Sequence, residues 1–91
     1  MQSRLTEDEI ARRLLALPGW ERDGDAIRRA YPFPDFKAAM AFANAVADKA
    51  EARDHHPDLL VQWGRVTLRL STHSAGGLTA LDFDLATEID A

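Results

Sequence analysis

No cysteine occurs anywhere in this chain. Disulfides, thiolate nucleophiles and thiolate metal sites are therefore excluded, and a reducing compartment is permitted. Basic charge is also scarce: 11 lysines and arginines face 15 aspartates and glutamates, for a formal net charge of −4. A nucleic-acid binder normally carries a basic excess, so that class is disfavoured. Long apolar runs are missing as well. The longest mostly apolar stretch, AAMAFANAVA at 38–47, contains Asn44 and falls far short of the ~20 residues a membrane span needs. The opening MQSRLTEDEI has acids where a secretory signal would have an apolar core. No internal repeat, low-complexity tract or linker breaks the chain. A cytoplasmic protein with one domain over 1–91 is expected, with no nucleic-acid or membrane partner. A domain of this size is marginal as a very stable monomer, which favours self-association.

What is present is a run of well-punctuated elements. LTEDEIARRLLALPGW places Thr6 three residues before Glu9, a capping-box spacing that starts a helix. Leu5, Ile10, Leu14 and Leu17 recur at helical intervals, and Pro18-Gly19 stops the run. WERDGDAIRRAYPF (20–33) sets Asp23-Gly24 between two short strand-like runs, which suits a tight hairpin turn. Ile27, Tyr31 and Phe33 share a parity and would face one side of a sheet, with Arg29 interrupting that face.

Residues 34–54 carry the strongest helix signal: Ala-rich, with Asp35 as N-cap and an apolar stripe of Phe36, Met40, Ala43 and Val46-Ala47. Pro57 disfavours helical geometry at His56, so this helix should finish by about His55. DLLVQWGRVTLRLSTH (58–73) reads as a second hairpin, in which Val66, Leu68 and Leu70 alternate with polar residues. SAGGLT is a turn. TALDFDLATEID (79–90) is a last helix, with Thr79 and Asp82 at capping-box spacing. The order is α-β-β-α-β-β-α. It implies a two-layer α+β domain: a four-stranded antiparallel sheet with three helices on one face. The other face and the sheet edges are left for a partner subunit.

The chain has three histidines, and two are adjacent in EARDHHP (51–57). His55 and His56 fall at the C-terminal end of the middle helix, where free carbonyls and the dipole favour imidazolium. Glu51 stands at i−4 from His55 and could share a face and a hydrogen bond with it. His73 follows the fourth strand, and a hairpin would return it to the level of the pair. Three imidazoles on separate anchors would offer a proton donor and an acceptor near neutral pH. Blander roles exist for each: helix capping for His55 and His56, a solvated turn for His73, a helix charge for Glu51 and a capping partner for Asp82. Trp20 and Trp63 read as core or rim aromatics. A metal site is disfavoured, because adjacent helical side chains diverge by about 100° and no H-x3-H pair occurs.

The joint pattern E-x3-H-H-P-x5-W-x9-H-x8-D, from Glu51 to Asp82, resembles the signature of the pterin-4a-carbinolamine dehydratase family. LPGW, DGDAIRRAYPFPDF, THSAGGLT and DFDLATEID resemble family segments in the same order, so the likeness runs from about Leu5 to Asp90. The resemblance implies a hydro-lyase that eliminates water from a 4a-hydroxytetrahydropterin to give quinonoid dihydropterin, in the recycling of a pterin cofactor. It implies His55 and His73 as acid and base, and His56 as a binding and orienting residue. Glu51 would orient His55, Asp82 would brace the His73 turn, and Trp20 would flank the pterin. No cofactor or metal is implied. The implied partners are the pterin, further copies in a homodimer or homotetramer, and a functional link to a pterin-dependent aromatic amino acid hydroxylase. The competing reading is a dimerisation or transcription-cofactor module without essential catalysis.

Overall fold

The computed structural model describes residues 3–91. Its elements are α1 (Glu7–Leu14), β1 (Glu21–Asp23), β2 (Ala26–Pro32), α2 (Phe36–Arg53), β3 (Asp58–Gln62), β4 (Arg65–Leu70), a 3-10 turn (His73–Ala75) and α3 (Ala80–Asp90). The four strands form one antiparallel sheet in the order β1-β2-β4-β3. The α-β-β-α-β-β-α architecture expected from the sequence is the one observed. Among the described residues, no helix is long and apolar enough to cross a membrane.

The alternation along β4 sets the two faces of the sheet. Val66, Leu68 and Leu70 are fully buried beside Ile27 of β2 and Leu85 and Ala86 of α3. Two-residue periodicity turns Arg65, Thr67 and Arg69 to the opposite face. There the pairing lines up Glu21, Arg28, Arg69 and Asp58 across all four strands, two adjacent arginines flanked by an acid on either side.

Each helix begins at the cap its sequence encodes. Thr6 and Glu9 close a capping box on α1, Asp35 accepts from the Ala38 amide at the start of α2, and Thr79 and Asp82 close a second box on α3. α1 stops at Leu14, and single turns then carry the chain to Trp20, with Leu17 and Trp20 buried.

Two local expectations are corrected. The buried line of α2 is Ala39, Ala43, Val46 and Ala50. Phe36 and Met40 are instead 51% and 37% exposed, and Ala47 is exposed. Small side chains let this helix lie close to its neighbours, and the bulky ones are left at the rim. The β1–β2 loop consists of Gly24 and Asp25, because Asp23 still pairs with Ala26; Gly24 takes the positive φ of 59°. As expected, α2 finishes before His55: it ends at Arg53, since Asp54 adopts a left-handed conformation with φ 50° and ψ 42°.

Arg29, which interrupts the apolar parity of β2, has a defined place. Its guanidinium lies over the Tyr31 ring and bonds both the Pro18 carbonyl (2.9 Å) and Asp90 (3.1 Å). Asp90 also accepts from the Trp20 indole at 2.7 Å and the Tyr31 hydroxyl at 2.5 Å. One carboxylate thus ties the end of α3 to β2 and to the turn before β1.

Candidate active site

Three chain segments meet at one end of the domain: the C-terminus of α2, the turn after β4 and the N-terminus of α3. Asp54, His55, His56, Ser71, Thr72, His73, Ser74 and Leu81 line a pocket of about 270 Å³ there. The structure therefore brings all three histidines to one cavity.

His55 is the innermost, only 8% exposed. Its Nε2 lies 2.6 Å from Oδ1 of Asp82, which is fully buried. A carboxylate only accepts, so Nε2 carries a proton, and in the neutral ring Nδ1 is the nitrogen with the lone pair. The other oxygen, Oδ2, accepts from the Thr79 amide at 2.9 Å and the Thr72 hydroxyl at 2.8 Å. Thr72 in turn accepts from the Thr79 hydroxyl at 2.8 Å, because its own proton is committed to Asp82. Each proton of the network has a partner, and no buried side-chain polar atom is unsatisfied among the described residues.

The left-handed Asp54 also corrects the expected Glu51–His55 contact. It swings His55 off the helical path, so the i−4 relation no longer places Glu51 beside it. The His55 amide returns to the Ala50 carbonyl at 3.1 Å, and its ring turns inward to Asp82. Glu51 instead hydrogen-bonds Nε2 of His56, on the exposed side of the pocket. The carboxylate behind His55 is thus Asp82, and the one behind His56 is Glu51.

His73 opens the 3-10 turn and is exposed. The turn is pinned by the Thr72–Gly77 bridge, in which each amide donates to the other's carbonyl. Asp82 reaches this turn through Thr72, the residue before His73. Trp20 does not line the pocket; it is buried, edge-on to Tyr31 and bonded to Asp90. Trp63 also lies elsewhere, 72% exposed in the β3–β4 turn. Among the described residues, no group of three His, Asp or Glu side chains is placed to hold a metal ion.

Thr72 is a member of the site that residue type alone did not single out. A signal was present: the parity that buries Leu68 and Leu70 also sends residue 72 inward, and a polar residue there needs a buried partner.

Comparisons with known proteins bear on the family and the fold. The family described as pterin 4 alpha carbinolamine dehydratase matches residues 3–91. A protein of Roseiflexus sp. (strain RS-1), provisionally named a pterin-4-alpha-carbinolamine dehydratase, is 53% identical over 90 residues, covering 99% of this chain and 97% of the relative. One from Acidobacterium capsulatum with the same provisional name is 52% identical over 89 residues, covering 98% of this chain and 97% of its own. Among solved structures, a transcriptional coactivator/pterin dehydratase from Brucella melitensis superposes with a TM-score of 0.92 at 40% identity, covering 97% of this chain and 96% of that one. A pterin dehydratase-like protein identified as a RuBisCO assembly factor in the alpha-carboxysome shares the fold only, with a TM-score of 0.62 at 18% identity over 78% of this chain and 82% of that one.

Proposed function

This chain belongs to the pterin-4a-carbinolamine dehydratase family, and from that premise we propose that it dehydrates a 4a-hydroxytetrahydropterin by histidine acid–base chemistry. The observation that carries the reading is the convergence of His55, His56 and His73 on one pocket, with a buried carboxylate behind His55.

The substrate has a hydroxyl on C4a and a proton on the adjacent N5. Hydroxide is a poor leaving group, so the hydroxyl must be protonated as the C4a–O bond breaks. The N5 lone pair forms the new N5=C4a bond, and the N5 proton must depart. Water and the quinonoid dihydropterin result. His55 is the base: with its Nε2 proton held by Asp82, it presents Nδ1 to the N5 proton. His73 is the acid: exposed on its turn, it recovers a proton from solvent after each cycle. His56, held by Glu51, binds and orients the ring. Each positioned acid or base is worth ~10²–10⁴-fold. The product suits a reductase that returns the pterin to its working state for an aromatic amino acid hydroxylase, in the cytoplasm. A stopped-flow assay of 4a-hydroxytetrahydropterin decay, with chelator present, tests the reading. Acceleration by wild type that both His55→Ala and His73→Ala remove supports it; no acceleration rejects it.

Self-association or a protein-binding role is the second reading, and exposed apolar side chains favour it. β3 is an edge strand, and Leu60 (57% exposed) and Trp63 stand on or beside it, with Phe36 and Met40 exposed on α2. Covering such a surface would suit a homodimer or homotetramer. Light scattering on wild type and Leu60→Arg should show an oligomer that the charge dissociates; a monomeric wild type removes this reading.

A further inference from the structure

Arg29 does more than interrupt the apolar face of β2: it lines a cavity at the end of α3 away from the histidines. The cavity measures about 700 Å³, within the range of about 300–1,000 Å³ usual for small-molecule sites. Ala16, Leu17 and Pro18 line it from the turns after α1, and Thr87 and Asp90 from the last turn of α3. Asp82, behind His55, sits two turns earlier on the same helix, roughly 12 Å away at about 1.5 Å per residue.

The guanidinium of Arg29 is held in place but not used up. Both of its bonds leave from Nη1, to the Pro18 carbonyl at 2.9 Å and to Asp90 at 3.1 Å. The Tyr31 ring lies against it, with Cζ 4.7 Å from the centroid. Gly19 makes the room: its φ is 95°, and a Cβ there would stand 2.7 Å from Cζ of Arg29. Nε–H and the Nη2 amino group have no hydrogen-bond partner among the described residues. They are open to solvent, since Arg29 is only half-buried and no buried side-chain polar atom there lacks a partner. Nε–H and one Nη2–H run parallel along one edge of the planar group, the fork that matches the two oxygens of a carboxylate. Among the described residues, no carboxylate except Asp90 lies within ion-pair distance of Arg29.

We propose that this cavity binds a small monocarboxylate with an apolar tail, its oxygens on the Nε–Nη2 edge of Arg29 and its tail against Ala16, Leu17 and Pro18. The site is separate from the histidine pocket and stands whether or not the dehydratase reading holds. The charges already present limit the charge of the ligand. Asp90 is engaged by Trp20, Arg29 and Tyr31 and balances the guanidinium. The free carbonyls at the C-terminus of α3 add partial negative charge. The open fork meets one further negative charge, and a dianion is repelled. Thr87 turns its hydroxyl to the Phe83 carbonyl at 2.7 Å and so adds no donor for a second anionic group.

The test titrates the full chain, isotopically labelled for NMR, with 3-methylbutanoate, its neutral amide and inorganic phosphate at neutral pH. The carboxylate should give saturable shifts at the amides of Ala16, Leu17, Gly19 and Thr87 and at Nε–H of Arg29, with a Kd in the millimolar range. The amide should bind about tenfold more weakly, the worth of the charge-assisted pair, and phosphate should also bind more weakly. Arg29→Lys keeps the charge but loses the fork, and Thr87→Glu adds an opposing charge at an exposed helix position. Each should weaken the carboxylate about tenfold or more; if Arg29→Lys fails to fold, Thr87→Glu decides. The proposal is overturned by the absence of saturable shifts at these residues, by shifts centred on His55, His56 and His73, by phosphate or the amide binding as well as the carboxylate, or by unchanged affinity in the folded variants.

Discussion

Replacing Asp82 with asparagine separates a supporting role from a merely structural one. The carboxylate accepts three bonds: one on Oδ1 from His55, and two on Oδ2 from Thr72 and Thr79. An amide of the same shape has one accepting oxygen and one donating nitrogen. The orientation that saves two of the three bonds keeps oxygen toward Thr72 and Thr79 and turns the NH₂ toward His55. Nε2 must then accept, so the ring proton moves to Nδ1. A base that needs its Nδ1 lone pair is lost, and kcat should fall by ~10²–10⁴ with little change in KM. All three bonds pass from a charged to a neutral partner, about 1 kcal/mol each, partly offset by removal of a buried charge. The net loss is about 1–2 kcal/mol, a Tm decrease on the order of 10 °C for a domain this size. Stopped-flow kinetics and thermal circular dichroism measure the two effects separately. A folded Asp82→Asn enzyme with kcat within threefold of wild type would refute the reasoning, whatever its Tm.

Other outcomes follow from the same geometry. His55→Ala and His73→Ala should each lower kcat by ~10²-fold or more, whereas His56→Ala should chiefly raise KM, as steady-state kinetics on the three variants will show. Burial, and then the bond to Asp90, pushes the phenol of Tyr31 above its ordinary value near 10. Its share of stability is whole below about pH 10 and is lost as pH rises through the raised folded value. The absorbance of this single tyrosine should therefore change together with unfolding; reversible ionisation near pH 10 with the fold intact counts against that burial. Leu68→Ala, at a fully buried position of β4, should cost about 2–5 kcal/mol in urea unfolding.

Most of the fold was legible because its signals are local. Thr6-Glu9, Asp35 and Thr79-Asp82 each announce a helix start through a hydrogen bond spanning only three residues. The alternation at Val66, Leu68 and Leu70 fixes the face of β4. The face of α2 was harder to read, because alanines give little contrast between inside and outside. Close packing selected Ala39 and Ala50 over the larger Phe36 and Met40. Of the site, the grouping of the histidines could be argued from the hairpin's return. Their partners could not, because a single left-handed residue, Asp54, decides which imidazole meets Glu51 and which meets Asp82. Nothing in the residue type of Asp54 marks that turn beyond the modest tolerance of aspartate for positive φ. Arg29 looked like a flaw in an apolar strand until the chain terminus supplied Asp90.

The account turns on imidazoles cooperating across one small cavity. The most direct trial is a double-mutant cycle on dehydration rate: His55→Ala, His73→Ala and the pair together. If the two groups move protons in the same transition state, the double variant should be scarcely slower than either single one, the non-additivity of residues that act as a unit. Independent, multiplicative losses, or rates equal to wild type, would contradict it.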